Sequence, residues 1–178
     1  MKRKTNESRY PMTQTAGIHK TQLPNAVVFR EVEAWLADNH PVTLKAVGNS
    51  MWPFITGGRD EVVIQPHSAK QSLECGQIVL ARLSEGCYVL HRILRIDSDQ
   101  ITLLGDGHWR QREYCSSASI IGRVSIIRRN GHSINCSHPA ERFRTRLWMN
   151  LLPIRRYLLF LGRRILQPHT TTSKTIVP

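Results

Sequence analysis

No stretch of this chain approaches the run of about 18–20 apolar residues that a membrane-spanning helix needs. Its first residues, Met1-Lys2-Arg3-Lys4-Thr5-Asn6-Glu7, lead into polar sequence, not the apolar segment of a secretion signal. Together these absences predict a cytoplasmic protein, at most peripheral to a membrane. Cysteine is scarce as well: Cys75, Cys87, Cys115 and Cys136 form no Cys-x-x-Cys pair, and 178 residues with 40% hydrophobic content do not need disulfide staples. Reduced thiols are therefore expected. His132, Cys136 and His138 lie close together and His108 follows a turn, but no spacing matches a zinc site, so these read as solvated loop residues and no metal is expected.

Acidic residues are missing where basic ones concentrate. Residues 1–24 carry five basic groups and one acidic, residues 25–141 carry twelve of each, and residues 142–178 carry eight basic groups and no acid. The net charge of +12 thus belongs to the two ends. A neutral middle argues against a nucleic-acid footprint on the body itself. Three parts are expected: a flexible basic tail over 1–24, a folded domain over 25–135, and a basic amphipathic helix with its tail over 136–178.

The domain opens on Asn25 to Leu36, whose apolar residues recur at three and four positions and predict a short helix ended by Asn39-His40-Pro41. Short β-type runs follow at Val42–Val47, Glu61–Gln65, Gln77–Leu83, Cys87–Ile96, Gln100–Leu104 and Ile120–Arg128, punctuated by Gly, Asp, Asn and Ser. This pattern predicts a mainly β, α+β fold with a compact antiparallel sheet or partial barrel. From Ala140 to Gln167 helical spacing returns, with Pro153 expected to kink or divide it. Arginines alternate there with large apolar residues, as in a helix lying in a membrane interface. Trp148, Arg155, Arg156, Tyr157, Arg163 and Arg164 are the expected interfacial residues, and an anionic membrane the expected partner. The competing expectation is packing on the β domain or a dimer contact. Free nucleic acid would not require the apolar stripe, so none is expected as a partner.

The stretch most suggestive of chemistry is Gly48-Asn49-Ser50-Met51-Trp52-Pro53, where small and turn-forming residues hold a serine out of the sheet before a proline. A serine needs a base. The only lysine between Ser50 and the end of the β domain is Lys70, in a polar loop where it stays protonated. His91, in the strand-like Tyr88-Val89-Leu90-His91-Arg92, is fixed in direction and bears the side chain suited to base work near neutrality. Asp106, at the strand-to-turn junction Leu103-Leu104-Gly105-Asp106-Gly107, supplies an acid to orient it, which completes a triad.

Over Val42 to Val124 these motifs resemble the superfamily of serine peptidases that joins type I signal peptidases to self-cleaving SOS repressors. Gly48-x-Ser50-Met51-x-Pro53 matches its nucleophile motif, Gly76-Gln77-Ile78-Val79-Leu80 its Gly-Asp-strand motif with Gln in place of Asp, and Gly105-Asp106 its later Gly-Asp. His91-Arg92 is similar to the histidine-base branch found in endoplasmic-reticulum and archaeal signal peptidases. That branch has a further acid, for which Glu113 is the nearest candidate and a competing orienter of His91. The resemblance implies a signal-peptidase-like fold and a serine endopeptidase acting on a peptide or leader segment without cofactor. Oxyanion donors and substrate contacts are expected near Ser50, Asn49 and Met51. The spanning anchor that precedes the serine in membrane-bound members has no counterpart here. Two alternatives remain: self-processing at Ala16-Gly17, as in the SOS branch, and a catalytically inactive membrane-associated binding module.

Overall fold

A computed structural model of the protein describes residues 25–67, 71–83 and 87–166, the side chains of residues 25–27, 163, 165 and 166 excepted. Ala16-Gly17 and Lys70 lie outside the described residues. The chain runs α1 (Asn25–Ala37), β1 (Val42–Lys45), β2 (Glu61–Pro66), β3 (Ile78–Arg82), β4 (Tyr88–Asp97), β5 (Gln100–Leu104), β6 (Arg112–Ser116), β7 (Ile120–Arg129), β8 (His132–Asn135), α2 (Pro139–Asn150) and α3 (Arg155–Leu166). All pairings are antiparallel, in the order β1-β2-β7-β3-β4-β5-β6, with β8 also on β7. The described residues thus form a mainly antiparallel α+β fold.

Strand β3 shows why the sheet has a core on both faces. Ile78 and Leu80 join one buried cluster with Val32 and Leu36 of α1 and with Met51, Ile55, Val62 and Ile64. Val79 and Ala81 point the other way, into a second cluster with Ile93, Ile101, Leu103 and Ile120. Bulges in β7 at Ser125, opposite Val63/Ile64, and at Ile121, opposite Leu80/Ala81, and one in β4 at Leu94 break the register. Each adds local twist, which lets one sheet wrap two cores.

Strands β6 and β8 lie outside the β-type runs that the sequence pattern predicts. Both are short; in β6 only alternate residues are half-buried, and in β8 only Ile134 is. In β6 the inward positions are Glu113 and Cys115, so no apolar alternation marks it. The C-terminal segment divides around Pro153 into two helices, α2 capped by His138, whose Nδ1 accepts from the Ala140 N–H at 3.3 Å.

The C-terminal helices pack on the body through one face, which corrects part of the interfacial expectation. Arg155 is 2% exposed, lies with its guanidinium carbon 4.8 Å from the Trp148 ring, and donates to the Trp148 carbonyl at 3.0 Å. Burial pulls its pKa below the usual guanidinium value, Asp106 opposing that pull and Arg92 adding to it. Trp148 is half-buried against Phe54, with ring centroids 5.8 Å apart. Neither residue is placed to meet lipid. Arg156, Tyr157 and Arg164 are exposed, and the Arg163 side chain lies outside the described residues.

Candidate active site

Ser50 sits half-buried in the turn that follows β1, and the turn is braced at both ends. At its start, the Ser50 carbonyl accepts from the Gly107 N–H at 2.8 Å. At its end, the Phe54 carbonyl accepts from Arg129 at 2.7 Å. Arg129 is held in turn by Asp60, which is fully buried and also accepts from Arg59 and from the Thr56 N–H at 2.8 Å. Burial works against the Asp60 charge, but the hydrogen bonds from Arg59, Arg129 and Thr56 outweigh it and hold its carboxyl well below the usual carboxylate range. The middle of the turn is propped by the helices. The Phe54 ring lies between the guanidinium groups of Arg92 (4.7 Å) and Arg144 (4.6 Å), and Trp52, 8% exposed, lies against Gly162 of α3.

His91 projects from β4 on the same face as Ile93, which pairs with Leu103 of β5, which pairs with Glu113 of β6. Glu113 therefore stands two strands away on His91's own face, and its Oε2 meets Nδ1 of the imidazole. Gly105 lies by the other ring nitrogen. A Cβ there would fall 3.1 Å from His91 Nε2, 3.0 Å from His108 Nδ1 and 2.5 Å from the Ser50 carbonyl oxygen, so only glycine leaves room for this close approach. His91 Nε2 and the Ser50 backbone thus both border Gly105. His108 packs edge-on to His91, with ring centroids 6.1 Å apart.

Asp106, expected to orient His91, has a different partner. It is fully buried and accepts from Arg92 Nε at 2.9 Å and from Nη2 at 2.6 Å. Strand alternation explains the exchange: Arg92 follows His91 and so points to the opposite face. There its Nη1 also reaches the Gly76 carbonyl at 2.6 Å and Thr145 of α2 at 3.2 Å. The Gly105-Asp106-Gly107 turn is thereby tied to β4 on one side and to the serine turn on the other. Of the two acids named from the sequence, Glu113 meets the imidazole.

Ser50 and His91 line one cleft of about 380 Å³, with Leu44, Lys45, Ala46 and Val47 along one wall and Val89 and Leu90 along the other. Met51, expected near the substrate, has its side chain in the core and forms part of the floor. Asn49 is exposed at the lip. Strand β1 is the end strand of the sheet, so its outer edge faces no other described strand. The N-terminal turn of α1 closes the cleft's far end through Val28 and Phe29, the latter stacked on Tyr88 at 5.0 Å. Among the described residues no three His, Cys, Asp or Glu side chains cluster to hold a metal. Chemically, the arrangement offers a hydroxyl on a braced turn, an imidazole with one nitrogen held by a carboxylate and the other beside Gly105, and a cleft lined by both residues with an open strand edge. Comparison with protein-family models and with curated proteins finds no match to this chain.

Proposed function

We propose that the protein is a serine endopeptidase in which Ser50 is the nucleophile, His91 the general base and Glu113 the carboxylate that orients it. The observation that carries this reading is the imidazole of His91, held at Nδ1 by Glu113 while its Nε2 and the Ser50 backbone both border Gly105, in a cleft that Ser50 and His91 share. A carboxylate on Nδ1 fixes the tautomer that leaves Nε2 free to accept a proton, and it stabilises the imidazolium that forms. Ser50 Oγ attacks the peptide carbonyl while its proton passes to Nε2. That proton then goes to the leaving amine as the C–N bond breaks, and water, deprotonated by the same nitrogen, releases the acid from the acyl-enzyme. Asp106 is a positioning residue: through Arg92 it holds the turn on which the serine backbone rests.

The substrate is a peptide or leader segment bound in extended form. A strand added to the outer edge of β1 would hydrogen-bond its backbone there and place alternate side chains in the cleft. The apolar lining favours small or aliphatic side chains next to the scissile bond.

Treatment with an activated peptide ester, followed by peptide mapping, tests the assignment. Wild type gains one acyl group on Ser50, whereas Ser50→Ala and His91→Ala gain none. Labelling that survives Ser50→Ala removes the assignment, and an unlabelled wild type favours a binding module. A second reading, self-processing, draws on the position of α1, since Val28 and Phe29 bring the start of that helix to the cleft. Gly17 lies eight positions before Asn25, an extended reach of about 26 Å. In the same preparations, an N-terminus at Gly17 in wild type but not in Ser50→Ala would establish it.

A further inference from the structure

We propose that the outward face of α2 and α3 docks on an anionic lipid surface. The two helices spend one face on the body and leave a second apolar face uncovered. In α3 the inward positions are Arg155, Leu159 and Gly162, spaced by four and three, with Leu159 4% exposed and Gly162 on the Trp52 ring. Ile154, Leu158 and Leu161, with the same spacing one position earlier, point away and are exposed, as is Phe160. Phe143 and Leu147, four apart on α2, are 70% and 50% exposed. A helix apolar on two sides, with one side left open, has a second partner.

Charge selects that partner. Residues 142–178 contain eight basic groups and no acid, so two copies meeting through this face would bring two strongly positive segments together. An anionic lipid surface removes that repulsion. Arg156 lies over the Tyr157 ring at 4.3 Å and Arg164 over Phe160 at 5.0 Å, so cations ride on amphipathic rings beside the apolar stripe, suited to headgroups above an acyl boundary. No helix among the described residues is long and apolar enough to cross a membrane, which fits a helix lying in the interface plane. A nucleic-acid strand would leave the leucine stripe uncovered.

Docking of this kind sets where the cleft works. Trp52, in the Ser50 turn, touches the inner side of the helix whose outer side meets lipid, so the turn lies about one helix diameter, roughly 10 Å, below that surface. The inference is independent of catalysis and is tested on the full chain carrying Ser50→Ala. This protein is sedimented with phosphatidylcholine vesicles and with mixed phosphatidylcholine–phosphatidylglycerol vesicles, alongside the same protein with Leu158→Glu and Leu161→Glu. Both positions are exposed, so thermal unfolding of the variant stays at the parent value. Binding to the mixed vesicles, weakened by salt and reduced at least about tenfold by the two substitutions, is the expected result. Equal binding to both vesicle types, no binding to either, or binding that the substitutions leave intact overturns the proposal. So does a concentration-dependent dimer, or a complex with duplex DNA, that the substitutions dissolve while vesicle binding persists.

Discussion

Two faces of one strand divide the work of this site. On one face of β4, His91 turns to the cleft and is held by Glu113, which is partly open to solvent. On the other, Arg92 turns into the molecule and is held by Asp106, which is not. A single His-Arg dipeptide thus serves chemistry on one side and architecture on the other, because successive side chains of a strand point in opposite directions. The burial difference matters. A partly exposed acid beside an imidazole can stabilise a charge that comes and goes, whereas an acid sealed with a guanidinium is committed to holding structure.

The largest expected effect comes from the cleft side. Glu113→Gln keeps the shape and an oxygen for Nδ1 but removes the negative charge that stabilises the imidazolium. The rate of Ser50 acylation by the peptide ester should fall about 10²- to 10⁴-fold, in kcat and not in KM, with the unfolding midpoint nearly unchanged. Acylation at the wild-type rate would return the orienting role to another group and dissolve the contrast between the two faces.

Asp106→Asn should show the opposite profile. It leaves Arg92 buried without its counter-charge, a change that costs about 3–5 kcal/mol in comparable settings. Urea unfolding should register the loss, while acylation per folded molecule falls much less than in Glu113→Gln. Exchanging both partners, Arg92→Met with Asp106→Leu, should recover part of the stability, since no isolated charge remains. A variant that is stable but as slow as Glu113→Gln would mean that Asp106 acts on the chemistry directly.

The sequence disclosed the sheet better than it disclosed this division. Runs such as Ile78 to Arg82 and Gln100 to Leu104 are buried on both faces or nearly so, and burial leaves a continuous apolar signature. Strand β6 left none, because its inward positions are given to Glu113 and Cys115. The residue that makes it functional is the one that hides it. Asp106 and Glu113 were both visible as acids in the right neighbourhood, but choosing between them required knowing that β6 pairs with β5 in the register that sets Glu113 opposite Leu103, on His91's face. Strand parity around His91-Arg92 was the one available clue, since an acid serving the arginine must lie on the face away from the histidine. Likewise the arginines of α3 looked equivalent in sequence, whereas the contacts of Arg155 with Trp148 and of Gly162 with Trp52 show that Arg155 faces inward.

Asp60 sharpens the comparison from the smaller side, because it is as buried as Asp106 but its partners are not: Arg59 is 42% exposed and Arg129 26%. Solvent and salt therefore screen the Asp60 pairs, and their contribution should be about 1–2 kcal/mol. Because Arg59, Arg129 and the Thr56 N–H overcome the cost of burial and depress this carboxyl below its unfolded value, the charged form is favoured by folding. That stability is fully present above the ordinary carboxylate range and is lost as pH falls below about 4, toward the depressed folded value. Asp60→Asn should thus destabilise the protein at pH 7, and the gap between variant and wild type in urea midpoint should narrow steadily below about pH 4. Added salt should shrink the gap at Asp60 more than the gap caused by Asp106→Asn, since only the former pairs lie near water. Equal salt sensitivity at the two sites would mean that the burial of the acids, and not the exposure of the arginines, decides how firmly the serine turn is braced.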